Sequence, residues 1–175
     1  MQRNGSLSRP SWDEYFMLSA VIAATRSSCT KFHSGTVIVK NKRIIASGYN
    51  GPAPGIESGF DLGYCRKEKA GVDWTSKGTG HCLATHAEAN AIIQNHEKNL
   101  NGAKMYSLHF PCNECAKLIA SSGISEVVYL KMYKEEVPMA QEIFNMANVT
   151  FRKLEFNFDD ELINKIKSVI DSAVE

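Results

Sequence analysis

His86-Ala87-Glu88 and Pro111-Cys112-Asn113-Glu114-Cys115 are the two stretches around which this chain is organised. They read H-x-E and P-C-x-x-C. One imidazole and two thiolates fill the three-ligand quota of a catalytic zinc ion, which keeps its fourth position for water. A water held there has its pKa lowered to roughly 7, so a nucleophile is available at neutral pH. Protons must then be moved by a carboxylate, and Glu88 is the candidate.

The spacing places these residues at the starts of two helices. Cys112 and Cys115 are three apart and share one helix face. Pro111 precedes them and Ala116, Leu118, Ile119 and Ala120 follow, so the pair sits at a helix N-terminus, where the macrodipole favours thiolate. That helix runs to about Ser122, with Gly123 as its C-terminal cap. His86 and Glu88 are two apart and would point to nearly opposite sides of a regular helix. Both reach one water only at a helix entry, and Ala89, Ala91, Ile92 and Ile93 continue such a helix. Lys104 to Leu108 reads as the strand leading into Phe110-Pro111.

Outward from this centre, helices and strands alternate. Ser11-Trp12-Asp13-Glu14 is a capping box. It opens a helix through about Ser27 with Tyr15, Phe16, Leu18, Ala20, Val21 and Ile22 as a broad apolar face. Thr36 to Lys40 and Arg43 to Ser47 form a hairpin turning at Asn41-Lys42, and their continuous apolarity predicts a sheet covered on both faces. Gly48 to Gly55 is a loop leaving a strand, where Asn50 serves either the turn or a ligand. Glu126 to Leu130 is a strand, about Glu135 to Ala147 a helix, and Val149 to Leu154 a last strand. Asp159 to Ala173 is an amphipathic helix with Leu162, Ile166 and Ile170 on its inner stripe. The pattern is α/β: a three-layer α/β/α sandwich with a mixed central sheet of about five strands. It is expected to be a single domain over 1–175, with a core at 11–158 and a C-terminal helix at 159–175.

At 175 residues, 43% hydrophobic and 22% charged, the chain suits one soluble globular domain. The net charge of +1 gives no electrostatic footprint for nucleic acid. No run approaches the ~20 apolar residues of a membrane span, and Met1 to Pro10 lacks a signal peptide's apolar region. A cytoplasmic protein is expected, with its five cysteines reduced or metal-bound. Ile56 to Gly80 is the least regular stretch. Cys29, Cys65, His81 and Cys82 are the residue types of a closed structural zinc site that could tie it down; the alternative is buried free thiols. His33 is a substitute ligand, because adjacent His81 and Cys82 are awkward to bring onto one ion. Arg26, after the first helix, reads as a solvated charge.

Taken alone, C-x-x-C is also a redox motif or half of a structural zinc knuckle. In this order, with glutamate two residues after the histidine and proline before the first cysteine, the pair is the signature of zinc-dependent nucleobase deaminases. Longer runs narrow the resemblance. Trp12-Asp13-Glu14-Tyr15-Phe16-Met17, Gly48-Tyr49-Asn50-Gly51, His86 to Ile92, Phe110 to Ile119, Phe144-Asn145-Met146-Ala147 and Val149 to Lys153 are similar to the deoxycytidylate (dCMP) deaminases of the cytidine deaminase superfamily. The resemblance covers nearly the whole chain.

That resemblance implies hydrolytic deamination of dCMP to dUMP and ammonia, supplying dUMP for thymidylate synthesis. It implies that His86, Cys112 and Cys115 hold Zn²⁺ and that Glu88 shuttles protons. Asn50 and the Ala87 backbone N–H would contact the nucleotide, and Arg26 and Tyr129 would lie near its 5′-phosphate. It further implies a homo-oligomer, commonly a hexamer, activated by dCTP with Mg²⁺ and inhibited by dTTP. Microbial and phage members place a second, structural zinc where Cys29, Cys65 and the His81-Cys82 pair stand. Vertebrate-type members lack it, yet Phe110 to Ile119 is vertebrate-like. Two other functions stand beside this one: a zinc deaminase for another cytosine or purine nucleoside or nucleotide, and a non-catalytic zinc-stabilised nucleotide-binding module. Intact Glu88 argues against the module, the near-neutral charge against tRNA, and an arginine able to meet phosphate against a bare nucleoside.

Overall fold

The computed structural model describes residues 9–76, 78–97, 99–132, 138–156 and 160–174. Helix α1 (Trp12–Ala24) starts where its capping box requires: the Ser11 hydroxyl accepts from Glu14 N–H, and the Glu14 carboxylate accepts from Ser11 N–H. Strands β1 (Gly35–Lys40) and β2 (Arg43–Tyr49) follow. Their turn residues Asn41 and Lys42 both take positive φ, 51° and 58°, the left-handed pair that matches strand twist in a two-residue hairpin. Two short helices, α2 (Gly59–Leu62) and α3 (Arg66–Lys69), precede α4 (Ala87–Ile93). Then β3 (Lys104–His109), α5 (Asn113–Ser122), β4 (Glu126–Lys131), α6 (Pro138–Met146) and β5 (Thr150–Lys153) alternate, and α7 (Asp160–Val174) closes the order.

The strands form one mixed sheet in the order β2-β1-β3-β4-β5. β1 runs antiparallel to β2 and β3, whereas β3, β4 and β5 are parallel. Alternation along β1 divides the core. Val37 and Val39 meet Phe16, Met17 and Ala20 of α1 on one face, together with Tyr106 and Val128. Ile38 joins Met105 and Val127 on the other, under Ala91, Ala116, Ile119 and Phe144 from α4, α5 and α6. This is the expected α/β/α layering. Two glycines set the closeness of the layers: a Cβ on Gly35 would overlap the Ala20 carbonyl, and one on Gly48 would overlap the Ala87 carbonyl and Ala91 N. Both helices therefore rest backbone-on-sheet.

Several sequence expectations change. The buried stripe of α1 is Phe16, Met17, Ala20 and Ala24, while Tyr15 and Ile22 are exposed and the helix stops at Ala24. Close seating on Gly35 leaves room for a narrow stripe only. β2 is an edge strand, and of its residues only Gly48 is buried, so continuous apolarity does not mean cover on both faces there. On α7, Ile166 and Ile170 are 41% and 55% exposed instead of facing inward. The expected helix starts at Glu135 and Asp159 lie outside the described residues.

A charged cluster ties α1 to the sheet. Arg152 donates from Nη2 to Asp13 (2.7 Å) and from Nε to Glu126 (2.8 Å), and the Tyr106 hydroxyl donates to Asp13 (2.7 Å). Burial alone would raise both carboxyls. Hydrogen bonds from Tyr106 and Arg152 to Asp13, and from Lys104 and Arg152 to Glu126, outweigh it and hold both below the usual range. Groups depressed on folding contribute stability above their unfolded pKa, about 4, and lose it as pH falls through the folded value. Arg152→Met should therefore cost about 1–2 kcal/mol in urea unfolding at pH 7, discounted for the pair's partial exposure, with the difference from the parent protein closing in acid as both carboxyls become protonated in the folded state. An undiminished difference in acid would mean that lost packing, not charge, causes the effect.

Candidate active site

Two helix entries converge. His86 is the N-cap of α4 (φ −69°, ψ 155°) and Cys112 the N-cap of α5 (φ −72°, ψ 170°). Both are extended, and neither side chain caps its helix, so both are available as ligands. His86 Nδ1 lies 3.4 Å from Cys112 Sγ and 3.4 Å from Cys115 Sγ. The three atoms all fall within 4.8 Å of one another. Tetrahedral zinc with N and S ligands at about 2.0–2.3 Å separates those ligands by roughly 3.5 Å, so the donor set fits the ion in both chemistry and spacing.

Hydrogen bonds among the three groups shift their proton affinities. A hydrogen bond from Cys115 pulls the Cys112 thiol far down, with His86 assisting, while sharing that bond and burial push Cys115 up. Hydrogen bonding to Cys112 raises His86 against the opposing effect of burial. Metal binding would displace these protons. Glu88, in the first turn of α4, is 5% exposed. Burial pushes its carboxyl above the ordinary range, with its own backbone N–H and His86 opposing. A carboxyl raised in this way holds a proton more readily than an ordinary carboxylate, as a proton shuttle requires.

Glu88, His86 and Cys112 line a cavity of about 590 Å³. Asn50 also lines this cavity. Its Oδ1 accepts from Ser34 N–H (2.8 Å) and its Nδ2 donates to the Phe32 carbonyl (2.8 Å), so it fixes the chain entering β1. The amide retains one donor and one acceptor position for a ligand. His109 packs its ring on Phe32 at 4.5 Å, with Nδ1 3.3 Å from Ser34 Oγ. Burial, aided by Lys131, pushes His109 down to about 4, so this wall is uncharged at neutral pH. Phe32, Ser34 and His109 carry no motif or periodicity that marks them in the sequence.

The other candidates divide. Ala87 opens α4, is buried and lines the cavity. Arg26 is exposed and absent from the lining, and Tyr129 is buried in the core against Phe110 at 4.9 Å. Cys29, Cys65 and Cys82 line one smaller cavity, and Cys29 Sγ accepts from Lys31 N–H (3.5 Å) and Phe32 N–H (3.4 Å). His81 and His33 are exposed and line neither cavity. Among the described residues, only His86, Cys112 and Cys115 gather three ligand atoms at metal-binding separation.

No helix among the described residues is long and apolar enough to cross a membrane. Residues 10–131 match the model of the cytidine and deoxycytidylate deaminase zinc-binding region. The chain is 45% identical over 127 residues to the deoxycytidylate deaminase of Mycobacterium phage D29, covering 71% of this chain and 98% of that protein. It is 37% identical over 169 residues to ComE operon protein 2 of Bacillus subtilis, covering 93% and 79%. The crystal structure of dCMP deaminase from the cyanophage S-TIM5 in complex with dCMP and dUMP superposes with a TM-score of 0.67 at 25% identity, covering 84% of this chain and 99% of that one. With its three ligands and buried carboxylate in the matched region, the chain belongs to the zinc-binding cytidine and deoxycytidylate deaminase family.

Proposed function

We propose that this protein is a deoxycytidylate deaminase, converting dCMP and water to dUMP and ammonia. The observation that carries the reading is a buried glutamate, Glu88, in one cavity with a His-Cys-Cys ligand set. Likeness to the phage D29 deoxycytidylate deaminase supports the substrate. Zinc, when bound by His86, Cys112 and Cys115, supplies a water activated for attack at neutral pH. Glu88 would accept one proton of the attacking water and pass it to the ring nitrogen N3 as the oxygen bonds to C4, then take the remaining proton of that C4 hydroxyl and deliver it to the amine, which leaves as ammonia while the C4 oxygen becomes the uracil carbonyl. Asn50, through its remaining amide positions, and the Ala87 N–H, unused at the first position of its helix, hold the nucleotide.

The same reading includes a cytoplasmic location, a role in supplying dUMP for thymidylate synthesis, and a homo-oligomer responsive to dCTP with Mg²⁺ and to dTTP. Exposed apolar side chains, among them Ile93, Met146 and Ile170, support association. A second, structural zinc belongs to it as well, supported by Cys29, Cys65 and Cys82 around one cavity and by the two N–H groups on Cys29 Sγ. Closing on an ion would require these thiols to draw together.

Glu88→Gln should keep zinc bound and the fold intact while lowering dCMP turnover by at least about 100-fold; activity close to the parent's would sink the proton-shuttle role. Cys115→Ser should lose the catalytic zinc and turnover together, as read by elemental analysis and ammonia release. Zinc content should be two per chain, falling to one in Cys65→Ala. One zinc per chain in the parent protein would reduce the three cysteines to ordinary thiols.

A further inference from the structure

One atom in the lining of the large cavity is an acceptor without a donor. Asn113 Oδ1 is buried there and has no hydrogen-bond partner among the described residues. A buried carbonyl oxygen left unpaired is costly unless a ligand completes it. The neighbouring polar groups of the wall are spent or undecided. Asn50 is held at both ends of its amide, by Ser34 N–H and the Phe32 carbonyl. Lys67 latches the 74–76 backbone, its Nζ donating to the Trp74 carbonyl (3.0 Å) and the Ser76 carbonyl (2.7 Å). The Thr79 hydroxyl is also buried and unpaired in the lining, but a hydroxyl both donates and accepts and so selects neither. Asn113 Oδ1 selects a donor.

Position decides which donor. Asn113 is the first residue of α5 and follows Cys112, which stands in the ligand set with His86 and Cys115. A base that offers C4 to the water activated at that set brings the other substituent of C4 to the same part of the cavity. On cytosine this substituent is the exocyclic amine, the donor of a ring whose N3 and O2 both accept. After hydrolysis C4 carries a carbonyl oxygen instead, which would set its lone pairs against those of Oδ1. The same acceptor thus attracts the substrate and repels the product.

We infer that Asn113 determines specificity by reading the 4-amino group: its Oδ1 accepts from the amine of the bound base and so favours the cytosine nucleotide over the uracil nucleotide that the reaction makes. The inference rests on the dCMP reading above. It gives the first intervening position of P-C-x-x-C a use that the ligands, Glu88, Asn50 and Ala87 leave open.

The test compares ligands that differ at C4, on the zinc-loaded full chain: dCMP, dUMP and the pyrimidin-2-one deoxyribonucleotide, which carries hydrogen there. In Asn113→Leu, KM for dCMP should rise about 5–20-fold, the worth of one hydrogen bond to a buried partner. The inhibition constant of dUMP should stay level or fall and that of the pyrimidin-2-one nucleotide should stay level, with zinc content unchanged by elemental analysis. Calorimetric titration in the Glu88→Gln background, where turnover is stopped, should show the same selective loss for dCMP. Asn113→Asp, which offers acceptors only and suits the first turn of a helix, should keep the preference for dCMP over dUMP, and it decides the matter if Asn113→Leu fails to fold or loses zinc. Equal losses on all three ligands, an undiminished preference for dCMP in Asn113→Leu, or loss of that preference in Asn113→Asp would overturn the assignment. A parent protein that releases no ammonia from dCMP would overturn the dCMP reading itself and the assignment with it, an outcome visible before any variant is made.

Discussion

Two helix N-termini brought nose to nose constrain the rest of this molecule. His86 and Cys112 can both serve as ligands because each stands at the extended residue before its helix, where the side chain is released from the helix surface. The next turn of each helix supplies the second component, Glu88 from α4 and Cys115 from α5. Holding His86 Nδ1 within 3.4 Å of both sulfurs demands that α4 and α5 lie on the same face of the sheet at fixed height. Gly48 lets the α4 backbone rest on β2, and the parallel β3-α5-β4 unit sets α5 beside it. Any side chain at Gly48 would lift α4 and with it the imidazole and the carboxylate.

Charge is distributed over the fold to match. At the N-terminal ends of β3 and β4, Lys104, Glu126, Arg152 and Asp13 form a cluster that joins α1 to three strands. Its exposure allows water to moderate each pair, so it serves alignment more than gross stability. At the other end of β3 lies the cavity, with a buried acid, a histidine held neutral and a tethered lysine. An uncharged wall at Phe32, Ser34, Asn50 and His109 suits a base and sugar.

The long stretch between β2 and α4 is thus more than a tether. The capping box of α2 and the Lys67 latch tie it down, and it delivers to the cavity residues that neither strand nor helix of the sandwich could place.

What the chain announces locally is its ligand chemistry and its order of elements. Capping boxes, an N-terminal proline, a C-cap glycine and alternating apolar runs all act over a few residues. The α/β/α layering, both helix entries and the His86, Glu88, Cys112, Cys115 set were therefore legible in the sequence. Exposure was not: whether Tyr15, Ile22 or Ile170 is buried depends on how closely another element approaches, and Gly35 decides that for α1 from a different part of the chain. Asn50 was legible as a candidate contact, but the rest of the cavity's wall was hidden, because Phe32, Lys67, Thr79 and His109 come from separate segments and meet only through sheet pairing and the latch at residues 74–76. Short-range hydrogen bonding is encoded by neighbouring residues; the distance between two segments is encoded by everything packed between them.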